Sequence, residues 1–531
     1  MNQSPTPERK GGIAQAAGVL ALGSIASRVL GLARETVIAN LFGASGLVSV
    51  FRVASIVPTM LYELLIGGML SAALVPVLSQ VVEQEGRPAL WALFSRVASL
   101  LAVMLAALVL LLELLAPQVA WLLGGGFAPE LQVALARMIR IIAPALLFFG
   151  LSGAVTGLLY TLKRFTFPAL GASVFNLGVI VAAPLLAGRL DAFSLAVGVV
   201  LGATLQLFLQ LPGLRDARFR FSLDLSHPAL RRIVVLYLPI ALGLVVSNIQ
   251  IGIDRRLASA TGDSSIAWMA NATTLVQLPH GLVAVAVSLA VLPTLSRLYA
   301  LGDGPGFRQT LGQGLRLVLV LIVPATLALL VLAEPVISLL FEHGRFTAHD
   351  TFWTAWALRY YLLGLIFAAI DWPLNYAFYA RQNTLTPALV GILSVGVYLV
   401  VALTLIGPLG MLGLVLADSA KHLSHALTML TLTRRKIGHL SDLRLGRTAV
   451  KVLLAGGLMA GAMILSLLGL KLLFTTWQPG DLLEEAMTVG LVAGIGLLVY
   501  GGLAALLRVE EIGLFRDLVR RRLYPQRAHL D

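Results

Sequence analysis

Residues 27–76, SRVLGLARETVIANLFGASGLVSVFRVASIVPTMLYELLIGGMLSAALVP, decide how the chain is read. The stretch is apolar enough for a bilayer, yet it carries Arg28, Arg34, Glu35, Arg52 and Glu63. A charge at mid-bilayer costs at least about 2.5–3.5 kcal/mol on insertion scales. Such side chains persist in a span when they face a partner, a water-filled cavity or an anionic substrate. The rest of the chain reads as the scaffold that makes such a place.

Composition supports that frame. Of 531 residues, 58% are hydrophobic and only 12% charged, and the mean hydropathy is +0.90. A soluble protein would be about 25% charged, so an all-α polytopic membrane protein is expected. There is no cysteine, which excludes disulfides, thiolate metal sites and a catalytic thiol. The net charge of +13 is scattered over many short loops. That distribution fits membrane topology and argues against nucleic acid as a partner. Residues 1–12 are polar, and the first apolar run leads straight into the charged stretch, which reads as a span rather than a cleavable signal.

Fourteen apolar segments long enough to span recur between residues 13 and 507. Pro58 with Gly67 and Gly68 predicts a bent second span. An even count puts both termini on one side. The loops on that side hold most of the basic residues, including Arg87, Lys163, Arg164, Arg215, Arg231, Arg232, Arg381 and Arg434, with Arg520, Arg521 and Arg522 in the tail. Both termini are therefore expected in the cytoplasm. The sequence also repeats. Tyr160-Thr-Leu-Lys-Arg-Phe-Thr-Phe-Pro168 recurs as Tyr379-Ala-Arg-Gln-Asn-Thr-Leu-Thr-Pro387, 219 residues on. Leu74-Val-Pro76-Val-Leu-Ser79 recurs as Val291-Leu-Pro293-Thr-Leu-Ser296, 217 residues on. An offset covering six spans makes the repeats parallel. The expected organisation is an N-terminal lobe at 1–212 (spans 1–6), a basic cytoplasmic connection at 213–232, a C-terminal lobe at 233–434 (spans 7–12), spans 13–14 at 435–507 and a basic tail at 508–531. Two such lobes describe an alternating-access transporter.

No nucleotide loop and no hydrolase or metalloprotease motif occurs, so no catalytic residue is assigned and direct ATP drive is not expected. No metal is assigned and no cofactor is expected. His280, His422 and His425 read as packed or interfacial residues. The intramembrane charges have two readings. Arg34, Glu35 and Arg52 form a structural ion cluster, or guanidinium groups there clamp phosphate, which they do bidentately and without losing charge. In the second lobe Asp254, Arg255 and Arg256 end the seventh span at the equivalent place. Asp371, Asn375, Asp418 and Lys421 are polar positions in spans 10 and 12; Asp418 and Lys421, at i and i+3, can neutralise each other. Coupling to membrane potential or to a monovalent cation is the expected energy source.

The chain resembles the MurJ (MviN) family of the multidrug/oligosaccharidyl-lipid/polysaccharide exporter superfamily. The residues that carry the resemblance are Ser27-Arg28-Val-Leu-Gly-Leu-Ala-Arg34-Glu35, Leu41-Phe-Gly43-Ala44, Ser71-Ala-Ala-Leu-Val-Pro76, Asp254-Arg255, Leu278-Pro279-His-Gly281, Leu292-Pro293-Thr-Leu-Ser296, Phe378-Tyr379-Ala-Arg381-Gln382 and Thr386-Pro387. The resemblance implies a flippase in the bacterial cytoplasmic membrane. Its cargo would be lipid II, an undecaprenyl-diphosphate-linked peptidoglycan precursor, with membrane lipids around it and no chemistry of its own. It also implies a cationic cavity whose arginines hold the diphosphate. Arg28 and Arg34 fall on the family's first-span arginines, Arg255 lies near its span-seven basic position, Arg52 is a further candidate, and Glu35 and Asp254 are supporting ion-pair partners. The chain departs from the pattern at Ser49, where an Asp is usual, at Tyr62-Glu63, where a basic pair is usual, at Gly67-Gly68, and at Thr273-Thr274, where Asp-Arg is usual. Two rival functions stay open on the sequence: a drug or cation antiporter of the same superfamily, and a non-transporting scaffold for envelope synthesis.

Overall fold

The computed structural model describes residues 7–64, 73–224, 226–438, 444–473, 482–511 and 513. Gly67, Gly68 and the tail arginines lie outside them. The described residues form eighteen α-helices and no strand, as a bilayer requires when backbone groups must be satisfied within each segment. The first nine are α1 (Pro7–Phe42), α2 (Gly46–Tyr62), α3 (Val75–Gln84), α4 (Gly86–Gly124), α5 (Pro129–Ile142), α6 (Ala145–Thr161), α7 (Thr166–Leu190), α8 (Phe193–Gln210) and α9 (Pro228–Ser259). The others are α10 (Ser265–Pro279), α11 (Ala286–Ala300), α12 (Gly304–Val331), α13 (Ala333–Phe341), α14 (Ala348–Ala380), α15 (Leu385–Leu409), α16 (Met411–Lys436), α17 (Leu445–Leu473) and α18 (Leu482–Leu506).

Among the described residues nine helical spans are apolar and long enough to cross a membrane, and α5 with α6, bent by 40°, makes a tenth. α1, α9 and α16, of 36, 32 and 26 residues, also have the length to cross a membrane, and α2 is a shorter apolar helix. Fourteen spans are compatible with this set. The bend has a cause in Pro144, which cannot donate to the helical ladder. At the equivalent repeat position stands Leu363, and there α14 runs unbroken.

The repeat extends to backbone detail. α7 begins at Thr166 and α15 at Leu385; α8 begins at Phe193 and α16 at Met411. Lys163 and Gln382 both have positive φ, as do Asp191 and Gly410, and Gly43 and Gly262. The helix-ending hydrogen bonds match too. Lys163 N donates to Tyr160 O and Arg164 N to Leu159 O, while Gln382 N donates to Tyr379 O and Asn383 N to Phe378 O. These are C-terminal left-handed caps, and they recur although the residues filling them differ.

The chain divides into two compact units, Met1–Ala267 with Gly344–Phe346, and Trp268–His343 with Thr347–Asp531. In the first, α7 packs along α8 and α1, and α8 also meets α6. α7 and α8 touch backbone to backbone: a Cβ on Gly178 would lie 2.4 Å from Gly202 Cα. Small residues license such approaches in membranes. The connection after α8 is held on α4, where Ser95 Oγ accepts from Arg220 N, Ser99 Oγ accepts from Ser222 N, and Arg96 pairs with Asp224 at 3.2 Å. Hydrogen bonds from Ser226 hold the Asp224 carboxyl below the usual range. α9 packs on α4 and α3, and is therefore counted with this unit although it opens the second half of the repeat. In the second unit α16 lies between α14 and α15, and α17 packs on α12 and α18. α14 starts with a capping box between Thr347 and Asp350. The other oxygen of Asp350 accepts from Trp268 Nε1 at 2.8 Å.

Candidate functional site

α1 brings Arg34 and Glu35 against α7, and α2 brings Arg52 to the same point. Glu35 is the centre. Its side chain is 3% exposed and takes two guanidinium groups at once. Arg34 donates to Glu35 Oε1 from Nη2 at 2.6 Å and from Nε at 3.1 Å. Arg52 Nη2 donates to Glu35 Oε2. The second partner of Arg34 is Asn176 on α7, whose Oδ1 accepts from Nη1 at 3.0 Å. Asn176 in turn donates from Nδ2 to Ser27 O at 3.1 Å, so one amide ties α7 to α1 at two levels. The Arg34 guanidinium also lies over the Phe175 ring at 6.0 Å, and a row of aromatics runs on through Phe149 to Tyr62.

The electrostatics follow from a count. Two guanidinium groups and one carboxylate leave one positive charge in a largely buried place. A buried ion group persists only when geometry and hydrogen bonding offset desolvation. Here Glu35 supplies that offset and leaves part of Arg34 open, its side chain 26% exposed against 14% for Arg52. Arg52 Nε is buried with no hydrogen-bond partner among the described residues. The group thus has donors to offer an incoming oxyanion.

Of the other expected site residues, Arg28 is half-buried on α1, six residues before Arg34 and so about 9 Å along the helix. Asp254 and Arg255 on α9 form a loose pair at 3.8 Å, and Arg255 Nε is likewise buried and unpartnered among the described residues. Arg256 turns to Trp121, donating to its carbonyl at 2.7 Å and lying 5.0 Å from the ring centroid. Of the residues that depart from the family pattern, Ser49, Thr273 and Thr274 have structural employment. Ser49 is fully buried and accepts from Ala267 N at 3.1 Å. Thr273 and Thr274 both return their hydroxyls to Ala270 O, and Glu63 is exposed. The sequence reading missed Asn176 and Phe175. Asn176 carried one usable signal, an amide inside an apolar span. A second polar group was seen only in pieces: Asp371, Asp418, Lys421, His422 and His425 come together in the second unit. Among the described residues no set of three His, Asp or Glu is arranged to hold a metal ion.

Comparison with known proteins points one way. The family model described as lipid II flippase MurJ matches residues 38–488. The lipid II flippase MurJ of Burkholderia cenocepacia is 33% identical over 379 residues, covering 70% of this chain and 73% of that protein. A probable lipid II flippase MurJ of Vibrio cholerae is 31% identical over 505 residues, covering 92% and 94%. Among solved structures, lipid II flippase MurJ in an inward closed conformation superposes with a TM-score of 0.77 at 24% identity, over 94% of this chain and 99% of that one. An inward-facing multidrug resistance MATE family transporter gives 0.66 at 14% identity, over 79% and 95%. These two structures share the fold.

Proposed function

The chain belongs to the lipid II flippase MurJ family, and from that premise we propose how it carries lipid II from the inner to the outer leaflet. The observation that carries the reading is the Arg34–Glu35–Arg52 group: a net positive, partly open cluster inside the span wall. Spontaneous flipping is blocked by the cost of taking a diphosphate through hydrocarbon. Arg34 and Arg52 offset that cost by offering guanidinium donors to the diphosphate oxygens. Glu35 and Asn176 hold Arg34 in one orientation, so that little side-chain freedom is lost on binding. Arg28 and Arg255 add positive charge along the path, and Asp254 steadies Arg255. The polyprenyl tail stays in the bilayer, and alternating access exposes the headgroup outside. The cycle makes and breaks no covalent bond. Its energy comes from membrane potential or a monovalent cation gradient, since each charge moved is worth about 2.3 kcal/mol per 100 mV.

The test is translocation of labelled lipid II in vesicles containing the purified protein, beside rescue of a flippase-depleted bacterium. Movement of lipid II in both supports the reading; a folded protein that moves none of it refutes it. The protein is a multi-pass membrane protein, and we place it in the bacterial cytoplasmic membrane with both termini inside. The chain has no cysteine, so Arg218→Cys in the connection gives a clean probe. It should react with a membrane-impermeant maleimide in inside-out vesicles and not in intact spheroplasts. The reverse pattern inverts the topology.

A further inference from the structure

The second unit holds a cluster of titratable side chains that the cargo site leaves unused. Asp371 on α14 is buried, its side chain 8% exposed. Its Oδ1 lies 3.0 Å from His425 Nδ1, and its Oδ2 lies 4.0 Å from His422 Nδ1, both on α16. His422 Nε2 is 3.7 Å from Asp418 Oδ2, and Lys421 donates to Asp418 Oδ1 at 2.5 Å. Asp371 Oδ1 and His425 Nδ1 make no well-formed hydrogen bond among the described residues. The neighbouring elements add little charge here. The π-helical turn His280–Val285 brings His280, 3.4 Å from Ala368 O and edge-on to Trp372. α15 has no acidic or basic residue, only the Tyr398 phenol. On α12, Arg316 is taken by Glu511 and Arg308 lies against Gly438; on α13, Glu334 is taken by Arg359; α11 carries Arg297 and Tyr299 near its end.

Charge balance sets what this group does. Two ionised carboxylates and one ammonium leave it one negative charge when both imidazoles are neutral. An unbalanced charge inside a span is costly, and one further proton, shared by Asp371, His422 and His425 as a coupled set, removes it. The internal repeat supplies a control. Stepping back 219 residues, Asp371 and His425 become Ser152 and Gln206, and Gln206 Nε2 donates to Ser152 Oγ at 3.1 Å. The same tie between helices is neutral in the first unit and ionisable in the second. A tie that served packing alone would need no titratable group. Two features let its charge reach the backbone. Pro373, two residues on, interrupts the ladder of α14, and Trp372 links the site to the π turn, a common mark of functional hinges.

We propose that Asp371, His422 and His425 form a proton-binding site whose loading is coupled to the transport cycle. The proposal rests on the flippase reading and adds the coupling ion to it. The test compares wild type with Asp371→Ser/His425→Gln, which installs the first unit's neutral pair. Both are reconstituted with labelled lipid II, under a pH gradient of either sign and with the membrane potential clamped. Wild-type translocation should change with the gradient, by up to about tenfold per pH unit for one coupled proton. The double variant should translocate without that response. Asp371→Asn, closer in size, should do the same and serves if the double variant does not fold. Wild-type translocation indifferent to the gradient, or a variant that keeps the response, overturns the proposal and leaves the flippase reading standing. If wild type moves no lipid II, the flippase reading fails by itself. The site is then decided by histidine-ring NMR in detergent between about pH 5 and 8. A His425 resonance whose titration moves in Asp371→Asn supports the site, and one that does not move refutes it.

Discussion

Arg34→Ala is expected to abolish lipid II translocation. The substitution removes the cluster's net positive charge and three hydrogen bonds: two to Glu35 and one to Asn176. Breaking one side of a buried ion group costs about 3–5 kcal/mol, so part of the loss will be stability. A second variant separates the two effects. In Arg34→Gln a neutral amide replaces the guanidinium while the Glu35–Arg52 pair is kept, and thermal stability should stay nearer wild type. Translocation should stay at least about a hundredfold down, because each 1.4 kcal/mol of lost interaction is tenfold. Full translocation by Arg34→Gln would make the positive charge of Arg34 dispensable and the cluster purely structural. Arg34→Lys should retain partial activity. An ammonium keeps the charge but cannot bridge Glu35 and Asn176 with a planar fork.

Gly178→Ala is the second large effect, and its sign runs against helix propensity. In an exposed helix interior, alanine is favoured over glycine by about 0.8–1.0 kcal/mol. At Gly178 the new Cβ would meet Gly202 Cα at 2.4 Å and Gly202 N at 2.6 Å. Those are backbone atoms and cannot rotate away, so α7 and α8 must part. Overpacking of this kind costs about 1–3 kcal/mol, and the melting temperature should fall. Activity should fall further than stability, because Asn176, two residues away, steers Arg34. Gly188→Ala on the same helix is the control. Nothing lies within 4 Å of its Cβ, and its melting temperature should hold or rise slightly.

The two predictions mark where one-dimensional reading stops. Arg34, Glu35 and Arg52 stand out in an apolar sequence because charge in a span is costly wherever the span lies. Asn176 shows in the sequence only as an amide inside an apolar span, and its pairing with Arg34 crosses 142 residues. Asp418 and Lys421 were readable as an i, i+3 pair, whereas the meeting of His425 with Asp371 depends on α16 lying against α14. Of the histidines read as packed residues, His422 and His425 join an ionisable group for that reason. The departures at Ser49, Thr273 and Thr274 looked like missing charge, and their packing roles are visible only in three dimensions.

By itself the sequence determined the membrane class, the span pattern and the repeat. Each of these rests on local quantities: hydropathy over about twenty residues, the sign of loop charges, and a register that recurs at a constant offset. Even the left-handed caps at Lys163 and Gln382 follow that offset. The tertiary structure alone decided which arginine meets which acid, and how much positive charge Glu35 leaves open. It also decided that the second unit carries an ionisable tie where the first has Ser152 and Gln206. The physical reason is that a side chain's partners depend on helix separation and rotation. Those are set by close contacts such as Gly178 on Gly202, which no single span contains.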